Sequence, residues 1–334
     1  MKPLLEVLQA TTEYFTRHGV ESPRLNAEHL VAHVLGKKRI ELYMEFDRPL
    51  GELELTPLRE LIRKRAAGVP LQHLLGTVEF HKRVFATDAR ALIPRPETEL
   101  LMELVLNPKN EVVRGDLTQS AGRESLSSEL SVSTDTESSS SSLIGSASYA
   151  SSSPPTSLVG LKERLPDAPR ILDVGTGSGV IALTLAGELP KADVTAVDVS
   201  PDALALAREN AERLGLTGRV QWLQSDLLEA VEGAFDLIIA NLPYIPGGEI
   251  AGLAREVQHD PVLALDGGPV GTEIMERLID QARCHLKPGG RLVLEIGIDQ
   301  SAPLAAVLER QNYRDIRPVA DYQGILRFLF ATYG

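Results

Sequence analysis

The sequence predicts an α/β protein: a mostly parallel sheet of seven strands covered by helices, with a small helical domain on its N-terminal side. Three observations carry that expectation. From Pro169 onward, short runs rich in Val, Ile and Leu alternate strictly with helical segments, as in a parallel sheet buried on both faces. Before about residue 70 the apolar residues recur at helical spacing instead. A serine-rich stretch, sparse in aliphatics, separates the two regions.

Taken in order, Ser22-Pro23 reads as an N-cap followed by proline at the first helical position, with an apolar pattern through Leu25, His29, Leu30 and Val34 to Gly36. Thr56-Pro57 repeats the device and predicts a helix from there to Gly68. The period then changes, and residues 76–80 and Val84-Phe85 predict two short strands. In Leu92-Ile93-Pro94-Arg95-Pro96-Glu97-Thr98-Glu99 the prolines exclude a helix before Glu97, after which Leu100, Leu101, Leu104 and Val105 form a helical face. Residues 107–168 include five consecutive serines from Ser138 to Ser142, and Ser151-Ser152-Ser153 before Pro154-Pro155. They bury too little apolar surface to offset their ordering entropy, so a disordered insertion is expected. Strands are then expected at 171–174, 193–198, 220–224, 235–240, 291–296, 314–319 and 325–331. The helices between them fall at 180–189, from the Ser200-Pro201-Asp202 cap to Gly215, and at 272–286.

Composition excludes several classes of function. No apolar run approaches the length of a membrane span, and no charged-then-apolar leader opens the chain, so a cytoplasmic protein is expected. A single cysteine, Cys284, excludes a disulfide framework and a multi-cysteine zinc site, and reads as a small core residue. His29 and His33 lack the glutamate placement of a zinc helix. The net charge of −12 argues against a broad hold on nucleic acid. Charge is uneven, however: residues 1–95 hold 15 Lys/Arg against 12 Asp/Glu, and the remainder 19 against 34. The runs Lys37-Lys38-Arg39 and Arg63-Lys64-Arg65 are therefore either solvated helix faces or a docking surface for a protein partner.

The chemistry-bearing residues fall at successive strand ends, where open α/β sheets bind ligands. After the first strand comes Gly175-Thr176-Gly177-Ser178-Gly179, whose glycines permit a tight turn and close approach of a ligand. Its G-x-G-x-G spacing differs from the dinucleotide fingerprint, and Asp173 ahead of it suits an ammonium group better than a pyrophosphate. Asp198 ends the second strand, where a carboxylate accepts both hydroxyls of a ribose. Asp226 follows the third, where it suits an adenine amine. The fourth strand runs into Asn241-Leu242-Pro243-Tyr244. There an amide oxygen and a backbone carbonyl accept from a conjugated NH2 group, and an aromatic offers a flat face.

These residues resemble those of class I methyltransferases, whose amino-acceptor members carry Asn-Pro-Pro-Tyr or a close variant at this strand end. The chain is further similar to the PrmC/HemK release-factor glutamine methyltransferases. That similarity runs through Pro70-Leu71-Gln72-His73, residues 76–80, the Leu92-to-Glu99 segment and Ala264-Leu265-Asp266-Gly267-Gly268, and continues in Leu294-Glu295-Ile296-Gly297 and Asp321-Tyr322-Gln323-Gly324. It covers nearly the whole chain outside residues 107–168. It implies a helical substrate-docking domain over 1–75, a hairpin and connecting helix over 76–106, and a Rossmann-like methyltransferase domain over 169–334 that binds S-adenosyl-L-methionine.

By the same resemblance, Gly175, Thr176, Gly177, Ser178 and Gly179, with Asp173, cradle the methionine part of the cofactor. Asp198 takes the ribose, Asp226 and Leu227 lie by the adenine, and Asn241 borders both ligands. Asn241, Pro243 and Tyr244 are the implied catalytic residues, with Leu242, Arg95 and Pro96 also on the substrate side. The implied acceptor is the glutamine of the Gly-Gly-Gln loop that peptide-chain release factors present to the ribosome. A monomer without metal, stable nucleic acid or membrane is expected. Leu242 departs from the family's first proline, Leu227 from a frequent aromatic, and the insertion from the usual linker length.

Three alternatives stand beside this reading. An amino-group methyltransferase acting on adenine or guanine of DNA or RNA would use the same Asn-x-Pro-Tyr device, with a basic surface and a flipped or single-stranded base. A Rossmann oxidoreductase is disfavoured by the glycine spacing. A scaffold that binds cofactor without catalysis is motivated by Leu242.

Overall fold

The computed structural model describes residues 2–106 and 165–334. The expected insertion, residues 107–168, therefore lies outside the described residues except for 165–168.

The N-terminal helices are amphipathic elements around one small core. Helix α1 (Leu4–Arg17) buries Leu4, Val7, Leu8, Thr11 and Phe15, the one-face spacing of a helix. It packs on α2 (Pro23–Leu35), which Pro23 opens and Gly36 closes in the left-handed conformation. Strands β1 (Lys2–Pro3) and β2 (Pro49–Leu50) pair antiparallel, and the short α3 (Arg39–Leu42) lies between α2 and β2. Then come α4 (Glu52–Ala66) and α5 (Leu71–Leu75).

Thr56-Pro57 does not start α4. The helix begins five residues before Pro57, on Gly51, whose N–H donates to the Glu54 carboxylate at 3.0 Å. Glu52 and Glu54 in the first turn complement the helix dipole there, and Pro57, in the second turn, removes one backbone hydrogen bond without ending the helix.

Strands β3 (Thr77–Phe80) and β4 (Arg83–Ala86) form a hairpin, with His81 and Lys82 at φ 46° and 63° in its two-residue turn. Pro96 occupies the first position of α6 (Pro96–Leu106), one residue ahead of the expected start. Phe80 and Phe85 of the hairpin and Leu101, Met102 and Val105 of α6 belong to the same buried cluster as Ile171, Leu237 and Val293 of the large sheet. Hairpin and helix are thus part of the sheet domain's core.

That sheet has seven strands: β5 (Arg170–Val174), β6 (Asp193–Asp198), β7 (Val220–Gln224), β8 (Phe235–Asn241), β9 (Leu286–Glu295), β10 (Tyr313–Ala320) and β11 (Leu326–Tyr333). Their order is β10-β11-β9-β8-β5-β6-β7, parallel from β9 to β7 and antiparallel where β11 meets β9 and β10. Helices α7 (Val180–Glu188), α8 (Pro201–Arg213), α9 (Glu273–Ala282) and α10 (Ser301–Arg310) cover it. From β5 the chain builds outward through β6 and β7, then returns to place β8 on the other flank of β5. A crevice opens at the carboxyl ends where the direction of winding reverses.

The boundary between α9 and β9 is displaced from expectation. Helix α9 stops at Ala282 rather than near 286, and Leu286 already pairs with Phe235 in a strand that contains Pro288-Gly289-Gly290. A register shift between Phe235 and Leu237 absorbs that segment, with Gly289 at φ 76°. Cys284, expected in the core, lies in the turn after α9 and is exposed.

Candidate active site

A cavity of about 330 Å³ sits in that crevice. Its floor is formed by the ends of β5, β6 and β8 and the turn after β7; the segment from Arg90 to Thr98 and residues 261–264 form the opposite wall.

The glycine loop leaves β5 with Gly175, Gly177 and Gly179 at φ 72°, 55° and 83°, values that L side chains rarely adopt. Asp173 lies beneath this loop and does not line the cavity. It is fully buried, and its Oδ2 accepts from Thr176 Oγ1 at 2.7 Å and from the Ala182 N–H at 3.1 Å. Burial pushes its carboxyl up to about 7. Thr176 and Ser178 line the cavity together with Gly175 and Gly177, whereas Gly179 is hemmed in by Ala207, Leu183 and Trp222 and caps α7.

Asp198 lines the cavity at the end of β6. Its Oδ2 accepts from the Gly177 N–H at 2.8 Å and its Oδ1 from the Ser200 N–H at 2.9 Å, which fixes the carboxylate against the loop, while burial raises its pKa. Asp226 also borders the cavity, paired with Arg277 at 2.9 Å. Beside it Leu227 is buried at φ 49°, a left-handed conformation that costs roughly 1–2 kcal/mol for a branched residue.

Asn241 closes β8 and lines the cavity with Leu242 and Pro243. The Asn241 Nδ2 donates to Thr98 Oγ1 at 2.9 Å, and Thr98 Oγ1 donates to Glu295 Oε2 at 2.8 Å. Leu242 is 5 % exposed and leans on the glycine loop, so close that a Cβ on Gly175 would lie 2.7 Å from its Cδ2. Tyr244 does not line the cavity. Its ring packs into the apolar cluster of the sheet, where burial pushes its phenol up to about 12, and its carbonyl accepts from Gln300 Nε2 at 2.8 Å. Behind this loop Ile245 and residues 265–268 exchange backbone hydrogen bonds, with Gly267 donating to the Ile245 carbonyl at 2.9 Å.

On the facing wall Arg95 lines the cavity and pairs with Asp260 at 2.7 Å, while Pro96 lies outside the lining as the start of α6. Sequence reasoning did not single out Thr98, Glu295, Asp260 or Asn210. Asn210 on α8 is fully buried. It accepts from the Ala86 N–H at 2.6 Å and donates to the Ala86 and Ser178 carbonyls, stapling the hairpin to the glycine loop. Its signal was a polar residue on the apolar stripe of a helix, next to Ala207 and Ala211.

The basic runs are largely compensated within the chain. Lys37 pairs with Glu45, Arg39 with Glu28 and Lys64 with Glu60. Arg65 is 4 % exposed and bridges Asn26 to Glu256, so its charge serves the join between the helical domain and the sheet domain. Among the described residues no cluster of His, Cys, Asp or Glu is arranged to hold a metal ion, and no helix is long and apolar enough to cross a membrane.

Residues 6–76 match the family model described as the PrmC N-terminal domain, and residues 158–260 that described as the Methyltransferase small domain. A release factor glutamine methyltransferase of Chlorobaculum tepidum is 36% identical over 332 residues, covering 98% of this chain and 96% of the relative. The enzyme of that name from Rhodopirellula baltica is 36% identical, covering 98% of this chain and 95% of its own. The one from Deinococcus radiodurans is also 36% identical, covering 98% of each chain.

Proposed function

The chain belongs to the release factor glutamine methyltransferase family, and from that membership we propose that it methylates the side-chain amide nitrogen of the Gly-Gly-Gln glutamine in a peptide-chain release factor, using S-adenosyl-L-methionine. One observation carries the reading. Asn241 lines the cavity with its Nδ2 committed to Thr98, which leaves the amide oxygen as the group that meets an incoming NH2.

The residues present fit the cofactor. Asp198 would hold the ribose diol, the glycine loop from Gly175 to Ser178 the methionine part, and Asp226 with Leu227 the adenine. Asp173 would act from beneath, keeping the loop in shape. S-adenosyl-L-methionine, when bound, supplies an electrophilic methyl on a sulfonium.

An amide nitrogen is a poor nucleophile because its lone pair is delocalised into the carbonyl. Asn241 Oδ1 and the Leu242 carbonyl, both at the end of β8, would accept its two N–H bonds and hold the lone pair toward the cofactor side of the cavity. Catalysis is then positioning and electrostatic stabilisation, with no covalent enzyme intermediate. Pro243 stiffens the loop, Tyr244 anchors it from behind, and Arg95 presents a cation at the rim. The reading extends to a monomeric cytoplasmic enzyme that serves translation termination. The alternative acceptor, a base amine of DNA or RNA, is not favoured, because the curated relatives are release factor glutamine methyltransferases and the basic runs are largely paired within the chain.

The test is transfer from S-adenosyl-L-methionine to purified release factor, read by peptide mass spectrometry. One added methyl on the Gly-Gly-Gln glutamine is expected, with Asn241→Ala lowering the rate by roughly 10²–10³, as for loss of one preorganised polar contact to a reacting group. A factor left unmodified by protein that binds the cofactor normally would refute the proposal.

A further inference from the structure

The chain Asn241–Thr98–Glu295 has a direction. A hydroxyl carries one proton, and Thr98 gives its proton to Glu295, so toward Asn241 it can only accept. An acceptor there selects the Nδ2 end of the Asn241 amide and turns the oxygen to the cavity. A protonated Glu295 would instead donate to Thr98 Oγ1. Thr98 would then have a proton to offer Asn241, which would present its oxygen to Thr98 and its NH2 to the cavity. Two NH2 groups facing each other cannot pair.

We propose that Thr98 and Glu295 are positioning residues that set which end of the Asn241 amide faces the acceptor glutamine, and that the protonation state of Glu295 switches it. The inference rests on the reading of Asn241 as the acceptor of the glutamine NH2.

Several groups face Glu295, which is 2 % exposed at the end of β9. Thr98 and Glu97 come from α6, Asn241 and Tyr244 from β8 and its loop, and Arg327 from β11, itself paired with Asp321. Burial pushes the Glu295 carboxyl up to about 7; Glu97 adds to that, while the Thr98 hydrogen bond, Arg327 and Asn241 oppose it. The ionised form, which is the productive one, therefore forms as pH rises through neutrality. Thr98 borders the cavity and Glu295 lies behind it, and they are 197 positions apart, so the fold alone brings them into register.

The experiment uses the full chain with two readouts. The first is kcat for release-factor methylation between pH 5.5 and pH 8.5. The second is the NMR signal of the Asn241 side-chain NH2, assigned by its loss in Asn241→Ala and followed over the same range without release factor. Wild type is expected to gain kcat through one ionisation near neutrality and to shift its NH2 signal with it; Glu295→Gln loses both. Thr98→Val, which keeps the shape and removes the hydroxyl, lowers kcat roughly tenfold with the affinity for S-adenosyl-L-methionine unchanged, and Thr98→Ser restores it. A Glu295→Gln protein that keeps the ionisation, or a Thr98→Val protein with full kcat, overturns the proposal. If wild type methylates release factor while its NH2 signal ignores pH, the switch is wrong and the function stands. If the signal titrates but no release factor is methylated, the function is wrong and the hydrogen-bond chain stands.

Discussion

Replacing Gly267 with alanine adds one methyl group behind the loop that carries Asn241. Its Cβ would lie 2.8 Å from the Pro243 carbonyl oxygen, 2.8 Å from Tyr244 Cα and 2.7 Å from the Gly271 carbonyl oxygen. All three are backbone atoms, so no side-chain rotation relieves the clash. Comfortable carbon contacts lie at roughly 3.5–4.0 Å, which requires the loop to retreat by about half an ångström or more. Overpacking of this kind costs roughly 1–3 kcal/mol of stability. Misplacing reacting groups by about 1 Å costs roughly a hundredfold in rate, so a retreat of half that distance predicts a loss of kcat of about tenfold. Most of the cofactor side is built on β5, β6 and the turn after β7, away from Gly267, so affinity for S-adenosyl-L-methionine is expected to stay within about twofold. Steady-state methylation of release factor, calorimetric cofactor binding and a urea midpoint measure the three quantities. Gly248→Ala is the control, since its Cβ would meet nothing within 4 Å. A folded Gly267→Ala protein with wild-type kcat would show that residues 265–268 do not hold the acceptor loop in place.

Asp198→Asn is expected to weaken cofactor binding by about tenfold or more, since one charged acceptor is lost. Because burial raises the Asp198 pKa, wild-type affinity should decline on acidification sooner than an ordinary carboxylate allows, and the variant should lack that decline; calorimetry across pH decides. Glu28 on α2 responds oppositely: burial pushes its carboxyl up, but hydrogen bonds from Arg24, Tyr43 and Arg39 outweigh that and hold it at about 2. Its depressed pKa gives stability that is present above its unfolded value of 4.5 and lost as pH falls toward about 2. Glu28→Gln should therefore cost roughly 2–3 kcal/mol at neutral pH and progressively less in acid, and a gap in urea midpoint that ignores pH would contradict this. Arg65→Met should cost roughly 1–3 kcal/mol, because the buried Asn26 loses its partner while the partly exposed Glu256 regains water, and an unchanged midpoint would rule out a structural role for that bridge.

The parallel sheet was legible because its strands are short apolar runs separated by caps and glycines, and the expected limits of β6 and β7 match those observed. The start of α4 was misread because Thr56-Pro57 imitates a cap, whereas Gly51 and the acids that follow it are the stronger start signal. The cluster of motifs at successive strand ends located the cavity, since an open sheet offers one crevice where its winding reverses. The direction of Asp173 was not legible. Four of the five residues of β5, Asp173 among them, are buried, and in a strand covered on both faces alternation cannot tell which side chain meets a ligand. Tyr244 illustrates the same limit, since a flat ring beside a reactive loop reads equally as a wall or an anchor. Thr98 and Glu295 lie in the Leu92-to-Glu99 and Leu294-to-Gly297 segments without a visible link, because a hydrogen bond across 197 residues leaves no periodic trace.

Asn210 and the shared core of the hairpin and α6 bear on how such an enzyme can be recombined. Ala86, Arg95 and Thr98 precede Pro169, yet they staple the glycine loop, line the cavity and orient Asn241. A chimaera cut at residue 169 would discard one wall of its own cavity. The workable crossover lies at Gly76, where α5 ends in a left-handed turn, provided that Arg65 and Glu256 travel as a matched pair. Exchanging residues 2–75 together with Glu256 at that seam would replace none of the residues that line the cavity.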